Sequence, residues 1–140
     1  MYLSKAGICF VEAKEKTVIS VGTDILQIDR IEAVVERLGD KFVRRILTED
    51  EREEYTASAQ PVRLLAKRFA AKEAVAKALG TGIGRGVSWQ DIQLFHNDNG
   101  APQIQLSGGA HKVATQRGGV RVEISLSDEV QYVVAFAVLA

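Results

Sequence analysis

A single cysteine, Cys9, is the only thiol in 140 residues. An internal disulfide is thereby excluded, as is a zinc site built on several cysteines, and such sparing use fits a reducing cytosol. Net charge is also missing, because eighteen basic and eighteen acidic side chains cancel. Wholesale nucleic-acid binding is therefore not expected, and only a local basic face is left open. No apolar run reaches membrane-spanning length; the apolar end, Val133 to Ala140, reads as a core strand. The first ten residues carry one lysine and no small-residue cleavage pattern, so no secretory signal is expected.

What remains is the composition of one globular domain, 46% apolar and 26% charged, with chain enough for a core. Residues 1–16, charged from Glu12 to Lys16, read as an extension ahead of a domain spanning 17–140. Thr17 to Val21 is β-branched and apolar, a buried strand that Gly22-Thr23 should end, leaving Asp24 at its mouth. Ile28, Ile31, Val35 and Leu38 keep a helical period up to Gly39. That helix turns Arg30 and Arg37 outward, with Lys41, Arg44 and Arg45 downstream. The pattern alone allows a solvated mixed-charge face or a docking face for an acidic partner.

Thr48-Glu49-Asp50-Glu51 has the spacing of a capping box, and the acids clustered there suit a helix N-terminus. Pro61 opens and Gly80 closes a long central helix. After it, Val87 to Phe95 reads as a strand, Asn97 to Gly100 as a hairpin turn, and Ala101 to Ser107 as its second strand. A short helix spans Ala110 to Gln116, and strands follow from Val120 to Ser127 and from Tyr132 to Leu139. The layout is α+β, a long central helix packed on an antiparallel sheet. His96 and His111 read as surface residues.

The central helix carries the chemistry. Leu65, Phe69, Val75, Ala76 and Leu79 share an apolar arc into which Arg68 and Lys72 also project, with Glu73 at its edge and Lys77 one turn on. Asp24 and Glu73 could hold a divalent cation that prefers oxygen ligands, Mg²⁺ above all. Arg68, Lys72 and Lys77 would neutralise phosphate charge, and Gly80-Thr81-Gly82 could let backbone amides approach a ligand. Each piece has a plainer structural alternative: Glu73 and Lys77 as an i, i+4 pair, and the glycines as a helix stop and tight loop.

Taken together, the motifs resemble the holo-[acyl-carrier-protein] synthase family, the small 4′-phosphopantetheinyl transferases. The residues that carry the resemblance are Gly22-Thr23-Asp24-Ile25, Asp29-Arg30-Ile31, Arg45-Ile46-Leu47-Thr48, Arg68-Phe69-Ala70-Ala71-Lys72-Glu73 with its glycine tail, and Ser125 to Glu129. It covers about Val18 to Ala140. It implies an enzyme of fatty acid biosynthesis that moves 4′-phosphopantetheine from coenzyme A to a serine of apo-acyl carrier protein, releasing adenosine 3′,5′-bisphosphate. It implies Asp24 and Glu73 as magnesium ligands, Lys77 beside the phosphates, and Arg30 and Arg37 as contacts for the carrier, a docking face that Arg44 would extend by its charge. It also implies a cytoplasmic homotrimer with coenzyme A bound between subunits. Glu123 and Asp128 stand where relatives carry histidines, so neither is counted as catalytic.

Overall fold

The computed structural model describes residues 2–3, 9–10 and 17–140, so most of the extension lies outside the described residues. Within it, strand β1 (Tyr2–Leu3) pairs antiparallel with β2 (Cys9–Phe10). The remainder runs β3 (Ser20–Gln27), α1 (Ile28–Leu38), α2 (Asp40–Ile46), α3 (Glu49–Ala57) and α4 (Pro61–Ala78). A 3-10 turn at Trp89–Asp91 leads into β4 (Ile92–His96), β5 (Pro102–Leu106), α5 (Gly108–Gln116), β6 (Val122–Asp128) and β7 (Tyr132–Leu139). The expected α+β layout is present. Three antiparallel strands in the order β3-β7-β6 form the main sheet, and β4 with β5 forms a separate hairpin.

Helix α4 lies across one face of the main sheet and is enclosed on nearly every side. Leu65, Ala66, Ala70, Ala71, Ala74, Val75, Ala76 and Ala78 are all fully buried. So many alanines have a reason: a slim helix lets surrounding elements reach its backbone, while alanine keeps the highest helix propensity. Pro61 occupies the first turn, as its missing N–H permits. At the other end, Gly80 takes φ +83° and donates its N–H to Lys77 O, while Thr81 donates to Ala76 O. These two bonds form a Schellman close, the αL glycine being what the turn requires.

The alternation of β3 and β7 turns Leu26, Val133, Ala135, Ala137 and Leu139 onto the helix. The opposite face leaves Val21, Ile25, Tyr132, Val134 and Phe136 exposed to between 41% and 69%. A contiguous apolar sheet face of this kind is what an isolated chain normally covers.

Two boundaries differ most from expectation. β3 begins at Ser20 and runs on through Gly22 and Thr23, so Asp24 is mid-strand, paired with Ala135, and not at a strand mouth. Val21 is exposed, contrary to the buried strand expected there. The reason is Gly22. A Cβ on it would sit 2.1 Å from Ala74 O and 2.6 Å from Ala78 N, so this glycine marks a strand pressed against a helix backbone and not a strand end. Likewise the strand expected from Val87 begins only at Ile92, because Ser88 and Asp91 cap the 3-10 turn reciprocally.

Candidate active site

Gly22 and Asp24 point to the same side of β3, because alternate residues share a face. With Gly22 seated against α4 between Ala74 and Ala78, Asp24 is delivered beside Glu73 and Lys77. The Lys77 ammonium donates to Asp24 Oδ1 at 3.1 Å and to Thr23 O at 2.9 Å. Burial lifts the Glu73 carboxyl above the ordinary glutamate value and the negative charge of Asp24 lifts it further, outweighing Lys77. The two carboxylates, 49 positions apart in sequence, are therefore near enough to feel one another's charge. Asp24 and Lys77 border a shallow depression of about 390 Å³, lined also by Thr23, Ile25 and Val134. Two hard oxygen donors that repel one another, one of them lining the depression, are the donor type that a divalent cation such as Mg²⁺ takes.

The other expected phosphate contacts do not join them. Lys72 is wholly buried on another side of α4, where its ammonium donates to Glu51 Oε1 (2.6 Å), Ile46 O (2.6 Å) and Trp89 O (3.1 Å). Its three donors are spent inside the protein, so the expected phosphate contact at Lys72 is corrected to an internal tie between α2, α3 and α4. Burial pulls its pKa below the usual lysine value despite Glu51. The amides of Gly80, Thr81 and Gly82 are also occupied, by carbonyls of Ala76 and Lys77. This turn closes a helix C-terminus, whose dipole end is negative, and offers no amide cradle for an anion. The plainer alternative holds there.

Arg68 faces a different space. Its side chain, 4% exposed, meets Glu54 through Nη2, and its Nε lies 3.6 Å from Glu51 Oε2. It lines a cleft of about 430 Å³ together with Arg63, Lys67, His96, Pro102 and Asp128. Arg63 and Lys67 both pair with Asp128, at 2.8 and 3.4 Å. Burial and then Arg68 lower the pKa of His96, so its imidazole is neutral at neutral pH. Sequence reasoning missed this cleft, since His96, Asp128 and Arg63 come from three elements brought together only by the fold. The spacing of Arg63 and Lys67, one helical turn apart beside Arg68, was the available signal.

Arg30 and Arg37 are exposed on α1, and Lys41, Arg44 and Arg45 on α2. Seven residues apart, Arg30 and Arg37 fall on one face of their helix. Arg44 is held by Asp40 at 2.6 Å, though both side chains remain largely in solvent.

The sequence model of the 4′-phosphopantetheinyl transferase superfamily matches residues 20–137. A Shewanella denitrificans protein named holo-[acyl-carrier-protein] synthase is 52% identical over 122 residues, covering 87% of this chain and 97% of the relative. The Shewanella frigidimarina protein of that name is 54% identical over 122 residues, again covering 87% and 97%. Among solved structures, the holo-[acyl-carrier-protein] synthase of Neisseria meningitidis superposes with TM-score 0.84 at 41% identity, over 89% of this chain and 99% of that one. The Helicobacter pylori synthase in complex with coenzyme A gives 0.75 at 32%, over 86% and 99%.

Proposed function

This chain belongs to the 4′-phosphopantetheinyl transferase superfamily, among its holo-[acyl-carrier-protein] synthases, and from that premise we propose how its own residues perform the transfer. The reaction moves 4′-phosphopantetheine from coenzyme A to a serine of apo-acyl carrier protein. The serine hydroxyl releases its proton to water, its oxygen bonds to the phosphorus that bears pantetheine, the bond from that phosphorus to the bridging oxygen breaks, and adenosine 3′,5′-bisphosphate departs. The observation that carries the reading is the convergence of Asp24 and Glu73 beside Lys77. Those two carboxylates would hold Mg²⁺, which when bound neutralises diphosphate charge and relieves the repulsion between them. Lys77, already oriented by Thr23 O and Asp24, presents its ammonium to the phosphate oxygens. Positioning and charge stabilisation are most of what phosphoryl transfer asks of a protein.

The cationic cleft around Arg68 suits the nucleotide end of coenzyme A. It shares no lining residue with the carboxylate depression. The depression is rimmed by Ile25 and Val134, which belong to the exposed apolar sheet face. Packing that face against a neighbouring subunit would bring one chain's carboxylates to another chain's cleft, in keeping with a homotrimer whose sites lie between subunits. Arg30, Arg37 and Arg44 form the docking face for an acidic helix of the carrier. Among the described residues no helix is long and apolar enough to cross a membrane.

Incubation with coenzyme A, Mg²⁺ and apo-carrier should add the mass of one phosphopantetheine arm to the carrier. Carrier binding with no mass gain would indicate a silent binding module instead. Release of pantetheine phosphate without any carrier would indicate a hydrolase. In solution the protein should have the mass of a trimer. Phe136→Glu, which puts a charge on the sheet face, should give monomers with transfer lost in step; a fully active monomer would overturn the shared site.

A further inference from the structure

Two carboxylates of α3 face the Arg68 guanidinium, and they differ in how they are held. Glu51 is 1% exposed. Its Oε1 accepts from Thr48 N and from Lys72 Nζ, and its Oε2 accepts from Leu94 N while facing Arg68 Nε. It cannot leave without stranding several buried donors. Glu54, one turn later, has a side chain 47% exposed, and among the described residues its carboxylate is hydrogen-bonded only to Arg68 Nη2. One acid is locked in place and the other is free to swing into solvent.

Arg68 itself is incompletely satisfied: its buried Nε has no hydrogen-bond partner among the described residues. Arg68 and Glu54 both line the cleft, together with Lys67, Arg63 and His96. A guanidinium presents donors in a planar fork that matches a phosphate as well as a carboxylate. Both Glu54 and a ligand phosphate would therefore seek the same Nη2 edge.

We propose that Glu54 is an exchangeable counter-ion for Arg68, occupying in the free enzyme the guanidinium edge that a phosphate of coenzyme A takes on binding. This rests on the cleft being the nucleotide site. Binding then swaps one anion for another on Arg68, so the affinity for coenzyme A is set partly by how easily Glu54 is displaced. Glu54 is thus an affinity-determining residue that leaves the chemistry at Asp24 and Glu73 untouched.

Glu54→Gln removes the competing charge at nearly constant volume. A partly exposed ion pair is a weak competitor, so KM for coenzyme A should fall by about two- to fivefold, with the gain in KM and not in kcat. Glu54→Asp, which keeps the charge, should stay nearer the parent. Glu53→Gln, an exposed acid of the same helix that does not touch Arg68, is the control. An equal fall in KM for that variant would reduce the effect to general surface potential and overturn the proposal. So would an unchanged or raised KM in Glu54→Gln with its melting curve intact.

Repeating the series with coenzyme A lacking its 3′-phosphate assigns the partner. A vanished effect identifies the 3′-phosphate as the exchanging group, and a persistent one identifies the diphosphate. Lys67→Gln, at the rim of the cleft, tests the underlying reading through direct binding of adenosine 3′,5′-bisphosphate. Unweakened binding there would remove the nucleotide site itself. Weakened binding there with no response from Glu54→Gln would remove the exchange alone.

Discussion

Glu73→Gln should abolish transfer and, at the same time, make the ligand-free protein harder to unfold. The loss follows from the carboxylate pair. An amide keeps the shape of the side chain but supplies neither the negative charge nor the anionic oxygen that a divalent cation seeks. Metal-assisted charge stabilisation amounts to several kcal/mol, and a loss of about 4 kcal/mol corresponds to roughly a thousandfold in rate. The gain in stability has the same origin. Burial, then the neighbouring Asp24 charge, raises the Glu73 pKa in the folded chain. The folded state therefore holds the proton more tightly than the unfolded one. Between the unfolded and folded pKa values, stability falls as pH rises, and above both the ionised carboxylate continues to cost. Glutamine is neutral throughout and removes that cost. Melting in the presence of a chelator, followed from below the ordinary glutamate range up to neutrality, should show the parent losing stability relative to the variant. Near-normal turnover in the variant would dispose of the metal role, and a lower melting temperature at neutral pH would dispose of the electrostatic strain.

The same stretch of helix shows where sequence reading works and where it stops. Pro61 and Gly80 bound α4 by local chemistry, a missing N–H at one end and a positive φ at the other. The capping box of Thr48 and Glu51 is likewise local and is present. So are the hairpin turn and β7, which spans Tyr132–Leu139 as expected. Failure begins where a residue's role depends on a distant partner. Lys72 looked available for phosphate because it projects into the apolar arc of its helix, yet Glu51 arrives from another helix and takes it out of solvent. Glu51 serves as cap and as buried counter-ion at once, a double use that the capping spacing alone cannot reveal. The glycine tail looked suited to an anion because glycine permits close approach, but its amides are claimed by the end of the helix it follows. Asp24 and Glu73 could be paired from the resemblance, whereas the contact that brings them together was visible only in three dimensions.

That contact sets the other large expectation. Gly22→Ala should destabilise the fold by about 3 kcal/mol or more, as overpacking against immobile neighbours does. Replacing glycine in a strand ordinarily gains roughly 0.5–1 kcal/mol of backbone entropy, so the sign depends on what the added methyl meets. Here it meets Ala74 O at 2.1 Å and Ala78 N at 2.6 Å, both backbone atoms of a helix buried on nearly all sides. No side chain can turn away, so the strand or the helix must move, and the clash outweighs the entropy. Movement of β3 carries Asp24 away from Glu73 and pulls the Lys77 ammonium from Thr23 O. A displacement of about 1 Å at a reacting centre can cost about a hundredfold in rate, so transfer should fall even in the fraction that stays folded. Thr23→Ala, altering an exposed neighbour in the same strand, should stay within about 0.5 kcal/mol of the parent and remain active. Denaturant unfolding and the carrier mass assay, run on both variants, read the two effects separately. A Gly22→Ala protein that unfolds and turns over like the Thr23→Ala protein would mean that β3 does not rest on the α4 backbone, and the meeting of the two carboxylates would lose its structural cause.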